Sequence, residues 1–297
     1  MGNLITSQDN AQATPFLKWA GGKRVLVKQI LQFVPDDVDE YYEPFLGAGS
    51  LFFSMPAETP KIVSDFNAEL ISVYETIRDD LDGLLRELRK RTNSLEDYLE
   101  IRDWDRSPSF ARRSKTSRAA RFIALNRLGF NGLYRVNSKG QYNVPYGHPR
   151  KVDLLMEDNL RAVSAFLSET DSSGRPAVEF HTGDYKDILQ NVSNPRALVY
   201  CDPPYHPTTA TSFKSYTRDG FNDENQIELH DEIVRLTRLG VRVLLSNSDT
   251  DFIRKLYSEK FFTVNQLVVR RAIAAKSENR GLFTEVLVDN FKAIRRS

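Results

Sequence analysis

Apolar residues fall along this chain in short blocks, set between longer stretches whose apolar positions return every three or four residues. The block Ala197-Leu198-Val199-Tyr200-Cys201 is apolar throughout, which predicts a strand buried on both faces of a parallel sheet. Further strands are predicted over Glu40–Phe45, Lys61–Asp65, Val178–Phe180 and Val241–Leu245. Helical periodicity falls over residues 23–34, at the Leu51-Phe52-Phe53 run, and over 68–88, 153–168 and 223–239. Two late strands, 262–269 and 284–290, lie close enough to pair antiparallel across a basic loop. Strands alternating with helices predict βαβ units, hence a doubly wound α/β sheet. That alternation breaks once. Residues 94–128 read as mainly helical, and 135–146 as a β-hairpin around Asn137-Ser138-Lys139-Gly140. The polar spacer Asp171–Pro176 then returns the chain to the sheet. The expected organisation is a sheet domain from 1–70 and 175–297, with 71–174 inserted.

Charge sharpens the picture of the insertion. The whole chain of 297 residues carries a formal net charge of only +1. From Arg102 to Arg150, however, eleven Lys/Arg stand against two acids, a local net of +9. Solvating surface charge is usually mixed in sign, so this bias points to a polyanion. No apolar stretch approaches the roughly 20 residues that span a bilayer, and residues 1–10 lack the basic and apolar regions of a signal peptide. The first dozen residues read as a polar, loosely ordered lead-in. Cys201 is the one cysteine, so no intrachain disulfide forms and a reducing cytosol fits. His148, His181, His206 and His230 have no metal-ligand spacing, and no metal is expected.

Candidate chemistry gathers where predicted strands end. After 197–201 comes Asp202-Pro203-Pro204-Tyr205. Two prolines cannot donate to a sheet ladder, so the strand stops in a stiff elbow between a carboxylate and an aromatic face. A carboxylate and a proline carbonyl can accept both hydrogens of an exocyclic amine while the ring stacks on its base. A plain Asp-Pro turn is the alternative. Gly47-Ala48-Gly49 follows the first strand, where glycines let backbone approach a nucleotide, though a tight turn explains them equally. Asp65 ends the second strand, where such sheets grip ribose hydroxyls. No third glycine and no Gly-Lys-Ser/Thr completes a dinucleotide or NTP motif, so a nucleoside without pyrophosphate, S-adenosylmethionine, fits better. In Trp19-Ala20-Gly21-Gly22-Lys23 the cation can meet the methionine carboxylate and the indole can cover the cofactor, or the segment is a simple helix lead-in. Cys201 reads as a small buried core residue rather than a nucleophile.

Together these blocks resemble the DNA adenine methylase (Dam) family, α-group amino methyltransferases of the D12 class. The resemblance covers nearly the whole chain and rests on Trp19–Lys23, Glu43–Gly49, Asp65-Phe66-Asn67 and Asp202–Tyr205, in that order. Between them stand Asn126–Arg135 and Tyr142-Asn143-Val144-Pro145-Tyr146-Gly147. It implies a Rossmann-like S-adenosylmethionine-dependent methyltransferase fold, mostly parallel with an antiparallel last strand. It also implies an inserted, mainly helical target-recognition domain with a hairpin. The implied catalytic tip is Asp202, Pro203, Pro204 and Tyr205. Implied cofactor contacts are Trp19, Lys23, Gly47, Gly49, Asp65 and Asp202, with Asp184 near the adenine ring. Implied contacts to double-stranded DNA are Lys18, Arg127, Phe130, Asn131, Leu133, Arg135, Asn137 and Pro145. Arg135 would read a guanine and Phe130 would wedge near the vacated base, while Asn131 holds the orphaned partner. His148-Pro149 departs from the Arg-Tyr of some members, and Tyr134 varies. The implied reaction is methylation of adenine N6 within GATC by a cytoplasmic, nucleoid-associated enzyme of bacterial or phage origin. A cognate restriction endonuclease is a candidate partner. Competing readings are N4-cytosine methylation at the same tip, methylation of RNA or a protein amide, and a catalytically silent DNA-binding module.

Overall fold

A computed structural model describes residues 12–19, 21–208, 221–270 and 282–294. Most of the expected polar lead-in and the basic loop between the late strands lie outside the described residues. The strands are β1 Glu40–Glu43, β2 Lys61–Asp65, β3 Val178–Thr182, β4 Ala197–Cys201, β5 Arg242–Ser248, β6 Thr263–Arg270 and β7 Leu282–Asp289. They form one sheet in the order β3-β2-β1-β4-β5-β7-β6. β1 pairs parallel with β2 and β4, β2 with β3, and β4 with β5. β7 runs antiparallel between β5 and β6. The sheet is thus mostly parallel, with its chain-terminal strand reversed. Strand order turns back between β1 and β4, and a crevice at such a switch point is where open α/β sheets bind ligands.

The α-helices among the described residues are α1 Val27–Ile30, α2 Ala68–Asp79, α3 Leu81–Leu88, α4 Leu95–Arg102, α5 Lys115–Leu128, α6 Glu157–Leu167, α7 Tyr185–Leu189, α8 Asp223–Arg238, α9 Asp251–Leu256 and α10 Phe291–Ile294. The helix expected over 68–88 is two. Asp80 leaves helical geometry (φ −149°, ψ 61°) and its carboxylate caps α3 by accepting from the Gly83 N–H. The expected helix over 23–34 is a set of short turns, Lys23–Val25, α1 and Leu31–Phe33. No side chain caps Gly22 and no acid stands in the first turn, so little holds a longer helix there. The Leu51 run likewise gives one 3-10 turn, Phe52–Ser54. Pro108 opens a 3-10 turn that interrupts the basic stretch between α4 and α5.

Helices cover both faces of the sheet. On one face, Leu229, Ile233 and Leu236 of α8 and Ile188 and Leu189 of α7 meet Val199, Val243 and Leu245. On the other, Leu70, Val73, Tyr74 and Ile77 of α2 pack with Val63, Leu198 and Leu244. The same cluster continues into Leu84 and Leu85 of α3 and Phe122 and Ile123 of α5. A separate core under the hairpin joins Tyr98, Ile101, Leu125, Leu128, Tyr142 and Val144. Among the described residues no helix is long and apolar enough to cross a membrane.

Candidate active site

Asp202 leaves the carboxyl end of β4, whose five residues are all buried. The loop after it is held from below by a buried polar network. Gln226 of α8 donates to the Pro204 carbonyl at 2.9 Å, and Asn247 of β5 donates to Gln226 at 3.1 Å. The Asn247 side-chain Oδ1 accepts the His206 N–H at 3.0 Å. Gln226 and Asn247 are fully buried, so both sides of Tyr205 are fixed by satisfied hydrogen bonds. The Tyr205 hydroxyl donates to Glu285 Oε2 on β7 at 2.7 Å.

Lys23 brings the N-terminal segment to this tip. Its side chain is only 3% exposed, and its ammonium lies 2.9 Å from Asp202 Oδ1 and 3.8 Å from Glu285 Oε2. It donates to the Gly21 carbonyl at 2.7 Å and sits 4.3 Å from the Tyr205 ring centroid. Burial pushes the Asp202 carboxyl above its usual range, and the nearby Lys23 charge offsets only part of that. Burial, with Asp202 and Glu285 beside it, also raises Tyr205, which stays a neutral donor. The same cause raises the thiol of Cys201, a buried core side chain.

The glycine turn lies one strand over. Gly47 has φ +49°, and a Cβ there would fall 2.8 Å from Cδ1 of the Trp19 indole. Glycine is required on both counts. Asp65 ends β2 and spans the turn: its carboxylate accepts the Gly47 and Asn67 N–H groups, each at 2.9 Å. Burial lifts its pKa, while these two bonds pull it back. Gly49 has φ +67°, and a Cβ there would crowd Phe52, Phe53 and the Tyr74 hydroxyl at 3.1–3.3 Å. Asp184 is exposed and caps α7 in a reciprocal box with Asp187. The Gly183 N–H reaches the Asp65 carbonyl at 3.3 Å, which brings Asp184 beside the Asp65 end. Phe66, 85% exposed, projects from the same turn.

The expected DNA contacts gather at the end of α5. Asn126, 1% exposed, accepts the Lys18 N–H at 2.9 Å and donates to the Lys18 and Gly132 carbonyls at 2.6 and 2.9 Å. That clamp sets the Lys18 backbone against the 3-10 turn Phe130–Gly132. Burial and the Arg127 charge lower the Lys18 pKa. Phe130 is 51% exposed, and the exposed Asn131 adopts a left-handed conformation with φ 54°. The Phe130 N–H donates to the Pro145 carbonyl at 2.9 Å. Leu133 instead packs partly buried against the core under the hairpin. Arg127 donates to the Asp153 carbonyl at 3.3 Å. Arg135 is exposed on the hairpin, steered by its bond to Asn143 Oδ1 at 2.7 Å. Asn137 closes the turn, its Oδ1 accepting the Lys139 and Gln141 N–H groups at 2.9 and 3.0 Å.

Glu285, Gln226 and Asn247 belong to this site and escaped the sequence reading. Asn247 had a local signal, since Ser246-Asn247-Ser248-Asp249 gives an apolar strand a polar carboxyl end, as Asp65 does for β2. Glu285 had none, because its partners are far away in the chain. A cavity of about 930 Å³, lined in part by Lys61, Arg78, Arg175 and Phe180, opens toward the amino ends of β2 and β3. It is remote from the tip, and its mixed charges assign no ligand. No group of three or more His, Cys, Asp or Glu able to hold a metal occurs among the described residues.

A glycine-turned, mostly parallel sheet with a reversed last strand, whose central strand ends in a rigid carboxylate and aromatic tip, defines a nucleotide-fold methyltransferase acting on amines. The chain belongs to the D12 class N6 adenine-specific DNA methyltransferase family, whose model matches residues 19–273. It is 38% identical over 292 residues to the Type II methyltransferase M1.LlaDCHI of Lactococcus lactis subsp. cremoris, covering 97% of this chain and 99% of that one. It is 36% identical over 301 residues to the Type II methyltransferase M.MjaIII of Methanocaldococcus jannaschii, covering 94% and 100%. With the DNA adenine methylase of Escherichia coli strain K12 it shares 33% identity over 283 residues, covering 92% and 93%. The protein is thus an adenine-specific DNA methyltransferase, which disfavours the N4-cytosine reading.

Proposed function

We propose that this enzyme methylates N6 of an adenine flipped out of double-stranded DNA within GATC, with S-adenosylmethionine as donor. The reading rests on the Asp202–Tyr205 tip, held rigid and aimed beside the glycine turn. The residues of the cofactor half-site fit such a donor. Gly47 and Gly49, both at positive φ, turn the backbone sharply after β1, and Asp65 and the exposed Phe66 stand where a nucleoside's hydroxyls and ring would lie. Trp19, Lys23 and Asp184 border the same space. When bound, S-adenosylmethionine supplies the methyl group and departs as the thioether.

The amine of a paired adenine is inaccessible, so the base must leave the stack, at a cost of about a few kcal/mol. Tyr205 offsets part of that cost by stacking on the extruded ring. Asp202 and the Pro203 carbonyl accept the two amine hydrogens and turn the nitrogen lone pair toward the methyl carbon. As the N–C bond forms, N6 sheds one proton, for which Asp202 is the adjacent acceptor. Most of the work is positioning. Lys18, Arg127, Phe130, Asn131, Leu133, Arg135, Asn137 and Pro145 form the DNA-reading set, on an inserted unit taken as residues 71–174. Arg135 suits a bidentate contact to guanine. A restriction endonuclease reading the same sequence is the proposed partner within a cytoplasmic system.

The test is methylation of a randomised duplex library, followed by mapping of the modified base and its flanks. N6-methyladenine confined to GATC is expected. N4-methylcytosine would overturn the chemistry, and N6-methyladenine in another context would overturn the specificity alone.

A further inference from the structure

Lys23 occupies the place that the proposed target amine needs. Its ammonium lies 2.9 Å from Asp202 Oδ1 and 4.3 Å from the centroid of the Tyr205 ring. An adenine amine oriented by Asp202 and stacked on Tyr205 would use the same oxygen and the same ring. Releasing Asp202 with no other anion nearby would leave a buried cation unpaired, which is strongly unfavourable. Glu285 Oε2 is 3.8 Å from that ammonium, and it also accepts the Tyr205 hydroxyl at 2.7 Å.

We propose that Glu285 is a positioning residue for the transfer: it fixes the Tyr205 ring by its hydroxyl and takes up the Lys23 ammonium when the target amine claims Asp202. The inference rests on the reading of Asp202 and Tyr205 as the amine site. Glu285 is well placed for both tasks. Its backbone is locked in β7, in register with Ser248 of β5 and Leu267 of β6, so its carboxylate has a rigid base. Lys23 carries a compact charge on a rotatable stem, and a small swing closes the remaining gap. One carboxylate therefore links the stacking surface to the cation that must vacate it.

The test compares Glu285→Ala and Glu285→Gln with the wild type. Single-turnover methylation is measured at saturating duplex and S-adenosylmethionine, with the affinity for each and the melting temperature measured separately. Glu285→Ala is expected to slow the single-turnover rate about 10- to 100-fold, the scale of a small misplacement at a reacting centre, with both affinities unchanged. Glu285→Gln keeps an acceptor for Tyr205 but loses the charge for Lys23, so its rate should fall between the two. In a Tyr205→Phe background, Glu285→Ala should cost less than it does in the wild type, because one of its two tasks is already gone. A wild-type rate in Glu285→Gln and Glu285→Ala, or a loss confined to duplex or cofactor affinity, overturns the proposal. Full multiplication of the losses in the Tyr205→Phe background does so too. Should Glu285→Ala fail to fold, the isosteric Glu285→Gln decides by its rate alone. Asp202→Ala is run alongside. An active Asp202→Ala sinks the reading of the amine site, whereas an inactive one with unaffected Glu285 variants sinks this inference only.

Discussion

The role proposed for Asp202 needs it ionised, and its surroundings resist that ionisation. As an acceptor for amine hydrogens it must be a carboxylate, yet burial raises its pKa above the ordinary 3.8. The native state therefore keeps a proton over a pH range in which the unfolded chain has lost it. Stability falls as pH rises through that range, and above the native pKa the whole cost is present. Replacing the carboxylate by an amide removes this cost and the activity together. Asp202→Asn should lose about 10²- to 10³-fold in single-turnover rate, as when one preorganised polar partner is deleted from a reacting centre. Its melting temperature relative to the wild type should climb from pH 4 to pH 7. Thermal denaturation across pH checks the second half, and a gap that ignores pH would remove the basis for it. The same raised pKa predicts that the wild-type rate is lost on the acid side at a higher pH than an ordinary aspartate would give.

At the scale of elements, α5 is what joins the proposed reader to the sheet that carries Asp202. Ser114 caps its start, and Asn126 near its end holds the Lys18 backbone and the Gly132 carbonyl together. Asn126→Ala would strip its bonds from the buried Gly132 carbonyl and from two partly buried Lys18 backbone groups, a buried unpaired group costing about 1–3 kcal/mol. Urea denaturation should show a loss of about 3 kcal/mol, accompanied by weaker binding to every duplex. The hairpin makes the opposite prediction. Arg135 is exposed and touches little besides Asn143, so Arg135→Ala should leave stability alone. It should cost about 1–3 kcal/mol of discrimination at one base pair, read as a relaxed position when modified sites are mapped. How far such elements were legible in the chain depends on how local their cause is. β4 falls where the sequence reading puts it, since a buried apolar run carries its own signal, and β2 does too, on Ile62-Val63 ahead of a polar carboxyl end. The break at Asp80 and the short turns over 23–33 depend on capping, which periodicity does not register. In the site, Asp202 and Tyr205 stood out as a motif. Glu285 and Gln226 did not, because only the assembled sheet and α8 bring them to the tip.

Across the whole molecule the local excess of positive charge is divided between two jobs. Arg121 is buried, donating to the Ile101 and Arg102 carbonyls and pairing with Asp105 at 2.7 Å. Arg106 pairs with Asp105 and reaches the Tyr142 carbonyl, and Arg118 pairs with Glu69. Arg121 and Arg106 tie α4, α5 and the hairpin's root together and Arg118 ties α5 to α2, so the count of basic residues overstates the surface offered to DNA. Lys139, by contrast, is exposed at the hairpin turn beside the proposed reader. Each phosphate neutralised by a protein cation adds about 0.9 to the slope of log affinity against log salt. Lys139→Ala should therefore weaken binding equally on GATC and unrelated duplexes and lower that slope by about 0.9. Arg121→Ala should instead lower the melting temperature, since it removes a buried cation's bonds to the Asp105 carboxylate and to the Ile101 and Arg102 carbonyls. Salt titrations of duplex binding, run beside thermal melts, separate the two classes. If Arg121→Ala changed the salt slope while melting like the wild type, the insertion's basic residues would have to be read as one continuous DNA-facing surface.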